Sequence, residues 1–365
     1  MKIIFFTDDI KGGAGNVAQQ LSIIYSQKGH DVSLVFWSIT AKTRYDLSNV
    51  KITNLHLEKY DEASRLTGFY YRIKEYKKVI KKIKPDLIIS FLDIINTHVL
   101  ISQYNTQIPI IVSERTNPFA YKLPLYWNIL RLICYKKRAN TITVLFDEFR
   151  QFFPVNIRSK IITIPNCFTV PEQQKEDYSI QDRPVTFVSF ARLTIVKRFD
   201  LMISLFREIH KQNVNTRLYI YGVGPEYDSL KKLIKKMELV DIVYLKGYCT
   251  NVSDELIKGD IYLMTSKYEG FPNALCEAMA CGLPSVSIST HQGMKKIVYN
   301  DVNGYIVEES SSDLFVQRCV ELAENESLRK RIGHSAREIS HKYSFDRIIT
   351  LWDNTITNLT VGAKN

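Results

Sequence analysis

Short apolar runs, rich in Ile and Val and closed by Gly, Pro or Asn, recur through both halves of this chain, with amphipathic stretches between them. In the first half they fall at 3–7, 32–37, 86–91, 108–113, 141–146 and 161–164. In the second they fall at 185–190, 217–221, 243–245, 261–265, 284–288 and 305–307. Runs this short and this β-branched read as buried parallel strands, and helical stretches between them make βαβ units. Two such series predict an α/β chain of two doubly wound, Rossmann-like domains facing across a cleft, with ligands at the carboxyl ends of the strands. The length of 365 residues fits two domains. A polar stretch, 171–177, marks the join, so the first domain is expected over 1–168 and the second over 169–343.

Composition removes several alternatives. With 45% hydrophobic and 24% charged residues the chain is neither disordered nor fibrous. The longest uncharged run, 94–113, is interrupted by Asn96, His98, Gln103, Asn105, Gln107 and Pro109, so it is no membrane span. Six cysteines without a C-x-x-C pair, and no charged-then-apolar leader before Ile3, point to a reduced, cytosolic protein. The net charge of +11 lies wholly in residues 1–170, which hold 24 Lys/Arg against 13 Asp/Glu. Such asymmetry suits an anionic partner: a membrane surface, a phosphorylated acceptor or, last because no nucleic-acid module accompanies the bases, a nucleic acid.

Three segments carry chemistry. The first apolar run leads through Asp8 and Asp9 into Gly12-Gly13-Ala14-Gly15, a turn in which backbone can approach a phosphate, although a plain tight turn fits equally. Its spacing is neither G-x-G-x-x-G nor Walker A, and no acid ends the second run near Trp37, which disfavours a dinucleotide site. In the second half, Arg192 and Lys197 follow a strand in one loop and can converge on a diphosphate, the alternative being a solvated pair. After run 261–265 comes Glu269-Gly270-Phe271-Pro272-Asn273-Ala274-Leu275-Cys276-Glu277. Pro272 suits a first helical turn and Gly282 a C-terminal cap, so a helix is expected over 272–281. Glu269 then precedes the helix in the strand-end crevice and can accept hydrogen bonds from sugar hydroxyls. Glu277 lies within the helix and can hold two ribose hydroxyls, while free N–H groups over 270–274 supply donors.

This stretch, ending in Met279-Ala280-Cys281-Gly282-Leu283-Pro284, resembles the E-x7-E motif of retaining GT-B glycosyltransferases of family 4. The resemblance covers nearly the whole chain. The Gly12–Gly15 turn, Lys84-Pro85-Asp86, Ile164-Pro165-Asn166, Tyr221-Gly222-Val223-Gly224-Pro225 and Asn303-Gly304 fall in the family's order. It implies that Arg192 and Lys197 bind the donor diphosphate and Glu269 the donor sugar, with Glu277 on the ribose and Gly13 approaching from the other domain. Gly270, Phe271, Pro272, Asn273, Ala274 and Leu275 complete the donor site. It also implies catalysis without a metal or resident cofactor, and a final helix, 344–365, crossing back to the first domain. Ser113-Glu114-Arg115-Thr116-Asn117-Pro118 is similar to a segment of bacterial enzymes that extend polyprenyl-diphosphate-linked glycans. Glu114, Arg115 and Asn117 are on that basis candidate acceptor-binding residues, unless Glu114 and Arg115 simply pair or cap a helix.

His98 is a candidate catalytic residue by its place after the third run, set against the more ordinary reading of an interior histidine. His291 stands where the family has a glycine-rich loop. No H-x-x-x-H, Cys/His cluster or D-x-D sequence is present, and no nucleophile elbow. Phe69, Ile73, Tyr76, Ile80 and Ile83 fall on one face of a helix whose other positions are largely basic. The aromatic, mostly apolar stretch 123–135 ends in Lys136-Lys137-Arg138. Both suit peripheral contact with anionic lipid, on the inner face of the cell membrane.

The resulting expectation is a retaining transferase that moves a hexose or N-acetylhexosamine from a nucleotide diphosphate sugar, a UDP-sugar first, to a hydroxyl of a lipid-diphosphate-linked glycan. The rivals are a nicotinamide-dependent oxidoreductase, which lacks its ribose-binding acid, and a non-catalytic sugar- or membrane-binding module, which needs neither Lys197 nor Glu269.

Overall fold

The computed structural model describes residues 1–361 other than Lys11, Ala41, Lys42, Arg44, Thr169, Val170 and Val214. Lys11 of the first glycine-bearing turn therefore lies outside the described residues. The chain divides into two compact units, one of residues 1–166 with 348–365 and one of residues 167–347.

Among the described residues, unit 1 is built on seven strands: β1 (Lys2–Thr7), β2 (Asp31–Phe36), β3 (Lys51–Asn54), β4 (Leu87–Phe91), β5 (Ile110–Ser113), β6 (Thr141–Val144) and β7 (Ile161–Thr163). They pair in the order β3-β2-β1-β4-β5-β6-β7, parallel throughout. Central strands β1, β4 and β5 are buried on both faces, which is why they read as unbroken apolar runs. β3 breaks that rule: an edge strand with two exposed and two half-buried residues, it has no apolar run by which to see it. Helices α1 (Gly13–Gln27), α2 (Arg65–Ile83), α3 (Asp93–Ser102), α4 (Leu125–Arg138) and α5 (Val155–Arg158) complete the unit. On α2 the expected stripe packs inward at Tyr76 and Ile80, 1% and 2% exposed, and its lysines face solvent.

Among the described residues, unit 2 has six parallel strands, β8 (Val185–Phe190), β9 (Thr216–Tyr221), β10 (Val243–Gly247), β11 (Ile261–Met264), β12 (Ser285–Ile288) and β13 (Tyr305–Val307), in the order β10-β9-β8-β11-β12-β13. Around them lie α6 (Phe199–Gln212), α7 (Tyr227–Lys236), α8 (Val252–Lys258), α9 (Asn273–Ala280), α10 (Ser312–Glu324), α11 (Glu326–Ala336) and α12 (Ile339–Lys342). α13 (Phe345–Val361) starts in this unit and belongs to unit 1 from Ile348 onward. There Trp352 is fully buried against Phe91, ring centroids 6.3 Å apart.

The stretch expected to be a polar linker is fastened down. The Lys175 N–H donates to the Cys281 carbonyl, Gln174 Nε2 to that of Ala280, and Arg337 to the Lys175 carbonyl. Lys175 itself is 5% exposed because its Nζ pairs with the wholly buried Asp260 at 3.2 Å. Within this stretch only Lys175 is drawn into an interior ion cluster, while Glu172, Gln173, Glu176 and Asp177 are exposed. Among the described residues no helix is long and apolar enough to cross a membrane.

Candidate active site

In unit 2 the carboxyl ends of β8 and β11 are neighbours, because the two strands pair through Phe187–Ile261 and Val188–Tyr262. The loop after β8 turns through residues 195–197 in a single 3-10 turn and ends at Arg198, whose φ is +52°. Three hydrogen bonds clip it to the loop after β11: Thr265 Oγ1 donates to the Lys197 and Arg198 carbonyls (3.2 and 2.9 Å), and the Lys267 N–H donates to the Val196 carbonyl (2.8 Å). Its other side rests on the loop after β9. The Leu193 N–H donates to the Val223 carbonyl, and a Cβ on Gly222 or Gly224 would stand 1.9 Å from the Ala191 oxygen or 2.2 Å from the Leu193 oxygen. The glycines of Gly222-Val223-Gly224 are therefore required by close backbone approach.

This clamping brings Lys197 and Glu269 together, Nζ to Oε1 at 2.6 Å, with the side chains 25% and 13% exposed. Arg192, earlier in the same loop, is exposed and makes no ion pair among the described residues. Phe271 is buried, edge-on to Tyr343 at 5.3 Å, and Pro272 precedes the first helical residue, Asn273. α9 spans Asn273–Ala280, one residue inside the expected bounds at each end. Gly282, at φ +89°, caps it with its N–H on the Met279 carbonyl, and Leu283 donates to Ala278. The first-turn amides, those of Ala274 and Leu275 among them, precede the helix's own i−4 bonding. Glu277 lies half-buried on α9. It and Glu269 are close enough to Tyr262 that, after burial, their charges add to the push on its phenol pKa, upward.

The geometry thus assembles Lys197, Glu269 and the start of α9 at the carboxyl ends of two central strands, β8 and β11, with Arg192 on the Lys197 loop and Glu277 within the helix. Half-buried, such a cation can hold a phosphate oxygen while the carboxylate accepts from hydroxyls. Two residues that sequence reasoning did not mark belong to the same strand-end cluster. Arg198 pairs with Glu309, just beyond β13, and Thr265 holds the loop. Their only signal is position, directly after a strand or next to Lys197. His291 accepts from the Gly293 N–H at 3.1 Å and so caps the turn at 292–296. Among the described residues no group of three His, Cys, Asp or Glu side chains is placed to hold a metal ion.

Unit 1 treats its candidates differently. Gly13 is exposed at the start of α1, beside Gly15, whose Cβ would lie 2.0 Å from the Asp9 oxygen. Glu114, Arg115 and Asn117, the expected acceptor residues, are 1%, 7% and 3% exposed, so they present no surface to an acceptor. Glu114 accepts from the Tyr135 hydroxyl and lies 3.5 Å from Arg131. Arg115 donates to Ser113 Oγ and to Ile164 O and Asn166 Oδ1, all at 2.7–3.0 Å, with its guanidinium over the Phe91 and Trp352 rings. Asn117 accepts from the Phe119 N–H. The pattern that suggested acceptor binding is an interior network, and Glu114 and Arg115 pair with other residues, not with each other.

His98 is also interior. Its ring, 1% exposed, is enclosed by Trp37, Phe69, Tyr76 and Trp127, with centroids 5.3–5.9 Å away, and among the described residues neither nitrogen has a hydrogen-bond partner. Burial first, then the nearby Arg72 cation, lowers its pKa to about 3. A substrate has no access to this ring, and the interior reading of His98 replaces the catalytic one.

Residues 170–339 match the family described as glycosyl transferases group 1. The amylovoran biosynthesis glycosyltransferase AmsD of Erwinia amylovora is 24% identical over 97% of this chain and 99% of its own length. A Campylobacter jejuni α-1,4-N-acetyl-D-galactosaminyltransferase, named for a diNAcBac-PP-undecaprenol-linked glycan, is 23% identical over 96% and 97%. Among solved structures, a sucrose-phosphate synthase of Thermosynechococcus elongatus has a TM-score of 0.84 at 14% identity, covering 99% of both chains. Anabaena HepE, solved with UDP-glucose, has a TM-score of 0.80 at 16% identity over 98% of this chain and all of its own. The second unit thus matches the group 1 glycosyl transferases, and the chain as a whole, similar to these structures over nearly all of its length, has the GT-B fold.

Proposed function

We propose that this chain is a retaining glycosyltransferase that moves a hexosyl or N-acetylhexosaminyl group from a nucleotide diphosphate sugar, a UDP-sugar first, to a hydroxyl of a lipid-diphosphate-linked glycan in polysaccharide assembly. The observation that carries this reading is the Lys197–Glu269 pair, 2.6 Å apart, clamped beside the start of α9. Support for the donor comes from HepE, crystallised with UDP-glucose, and for the acceptor from the Campylobacter relative's PP-undecaprenol glycan. AmsD, named for amylovoran biosynthesis, supports the setting.

In this reading Arg192, Lys197 and the first amides of α9 hold the donor diphosphate, Glu269 accepts hydrogen bonds from the sugar, and Glu277 holds the ribose hydroxyls. As the bond from the anomeric carbon to the phosphate oxygen breaks, negative charge grows on the leaving diphosphate. Pre-placed cations and N–H groups stabilise that charge where it appears. The acceptor oxygen bonds to the anomeric carbon on the face the phosphate leaves, and its proton passes to the departing phosphate oxygen. No protein base takes part, which agrees with the burial of His98, and the reaction needs no resident cofactor or metal.

A screen of UDP-sugars by mass shift on a prenyl-diphosphate-linked glycan tests this, with wild type beside Glu269→Ala and Lys197→Ala. Turnover with one donor in wild type, lost in both variants, is the expected result. Unchanged turnover in both variants rejects the site.

A further inference from the structure

Unit 1 keeps large apolar side chains in solvent on two neighbouring helices. On α4, Leu125 is 75% exposed, Tyr126 56%, Ile129 50% and Ile133 47%, while Arg131 and Tyr135 face inward. Leu125, Ile129 and Ile133 recur every four residues and form one stripe. At the start of α2, Leu66 is 84% and Tyr70 62% exposed. The two helices meet through Phe69 and Trp127, ring centroids 5.8 Å apart, and Tyr126 lies against Trp127 at 6.2 Å. The exposed groups therefore flank one aromatic seam.

The charges around this face name its occupant. Residues 65–84 hold eight Lys/Arg against Glu75 alone, and α4 holds four with no acid, ending in the exposed Lys136 and Lys137. On both helices the apolar groups come first and the lysines follow. Nucleic acid would satisfy the lysines and leave the aliphatic stripe wet. A second copy would bring the same positive half against this one. Anionic lipid satisfies both, since aliphatic side chains enter the acyl boundary, Trp and Tyr sit at the interface and lysines meet headgroups. We propose that the Leu125–Ile129–Ile133 stripe of α4, with Leu66 and Tyr70 of α2, docks unit 1 on an anionic bilayer. The stripe that lies outward is thus on α4, whereas the periodic stripe of α2 is spent inside the fold.

The test needs neither donor nor acceptor, so it stands or falls apart from the reaction proposed above. The full chain is sedimented with vesicles of phosphatidylcholine and phosphatidylglycerol, and with phosphatidylcholine alone. Wild type is expected on the anionic vesicles only, more weakly in high salt. Leu125→Glu/Ile129→Glu and, separately, Lys136→Glu/Lys137→Glu should each lower binding about tenfold or more. Val240→Glu, an exposed apolar site in unit 2, should leave it unchanged. The substituted residues are exposed, and circular dichroism confirms that each variant folds. Failure of wild type to bind, or equal binding by the variants, overturns the proposal. So does light scattering showing a dimer that Leu125→Glu/Ile129→Glu dissociates, which would give the stripe to a second copy.

Discussion

Lys197 and Glu269, seventy-two positions apart in the chain, form a 2.6 Å ion pair because Thr265 and Lys267 tie one loop to the other. In the proposed reaction the two groups have separate duties, the lysine on the diphosphate and the carboxylate on the sugar. UDP carries the diphosphate without the sugar. Glu269→Gln should therefore leave UDP affinity by calorimetry within about twofold while turnover falls about 100-fold or more. Lys197→Met should lower both. Equal loss of UDP affinity in the two variants would contradict the division of duties.

The glycines of the loop after β9 test the clamp from its other side. A methyl on Gly224 would meet the Leu193 carbonyl at 2.2 Å, and Gly222, at φ +145°, would meet that of Ala191 at 1.9 Å. Neither obstacle is a flexible side-chain end. Gly224→Ala should cost about 1–3 kcal/mol of stability and weaken UDP binding, since the displaced loop is the one bearing Arg192 and Lys197. Gly247→Ala is the comparison: its φ is +74° but its Cβ would meet nothing within 4 Å, so denaturant midpoints should separate strain from collision.

How much of this was legible beforehand depends on what each signal reports. Strands buried on both faces, such as β4 and β5, announce themselves by apolar runs, and edge strand β3, half solvated, does not. The E-x7-E stretch, read with its strand before and its cap after, located α9 to within a residue at each end. Single polar residues misled. Glu114 and Arg115 look like ligand contacts in sequence, because nothing local shows that Tyr135, Arg131, Asn166 and Trp352 come from distant positions to surround them. The burial of Lys175 within a polar stretch was equally hidden, since its partner Asp260 is 85 residues away.

Asp260 gives a stability prediction. It is fully buried and accepts two bonds from Arg183 (2.6 and 2.9 Å), one from Lys175 Nζ (3.2 Å) and one from the Thr186 N–H (2.8 Å). Burial alone would raise its pKa, but the Arg183 bonds, Lys175 and the Thr186 amide together hold it below the ordinary carboxylate value. Asp260→Ala strands Lys175 in the interior and should cost about 3–5 kcal/mol by denaturant titration. The sign in pH follows: a depressed native pKa gives stability present above the unfolded value and lost as pH falls through the native one. In the variant that acid-dependent loss should be smaller.

His98 supplies the opposite case, a base whose native pKa is depressed, to about 3 against an ordinary 6.5. Between those two values the unfolded chain binds a proton that the native ring refuses, so stability falls as pH is lowered from about 6.5, by up to about 1.4 kcal/mol per unit. Above pH 6.5 the ring is neutral in both states and contributes no slope. His98→Phe fits a cage already made of Trp37, Phe69, Tyr76 and Trp127, and removes two nitrogens that have no partner there. The variant should be at least as stable as wild type at pH 8, and its advantage in denaturant midpoint should widen steadily down to pH 5. Its turnover at pH 8 should match wild type, because the ring is enclosed. A loss of turnover of 100-fold in a variant that melts normally would return His98 to the reaction.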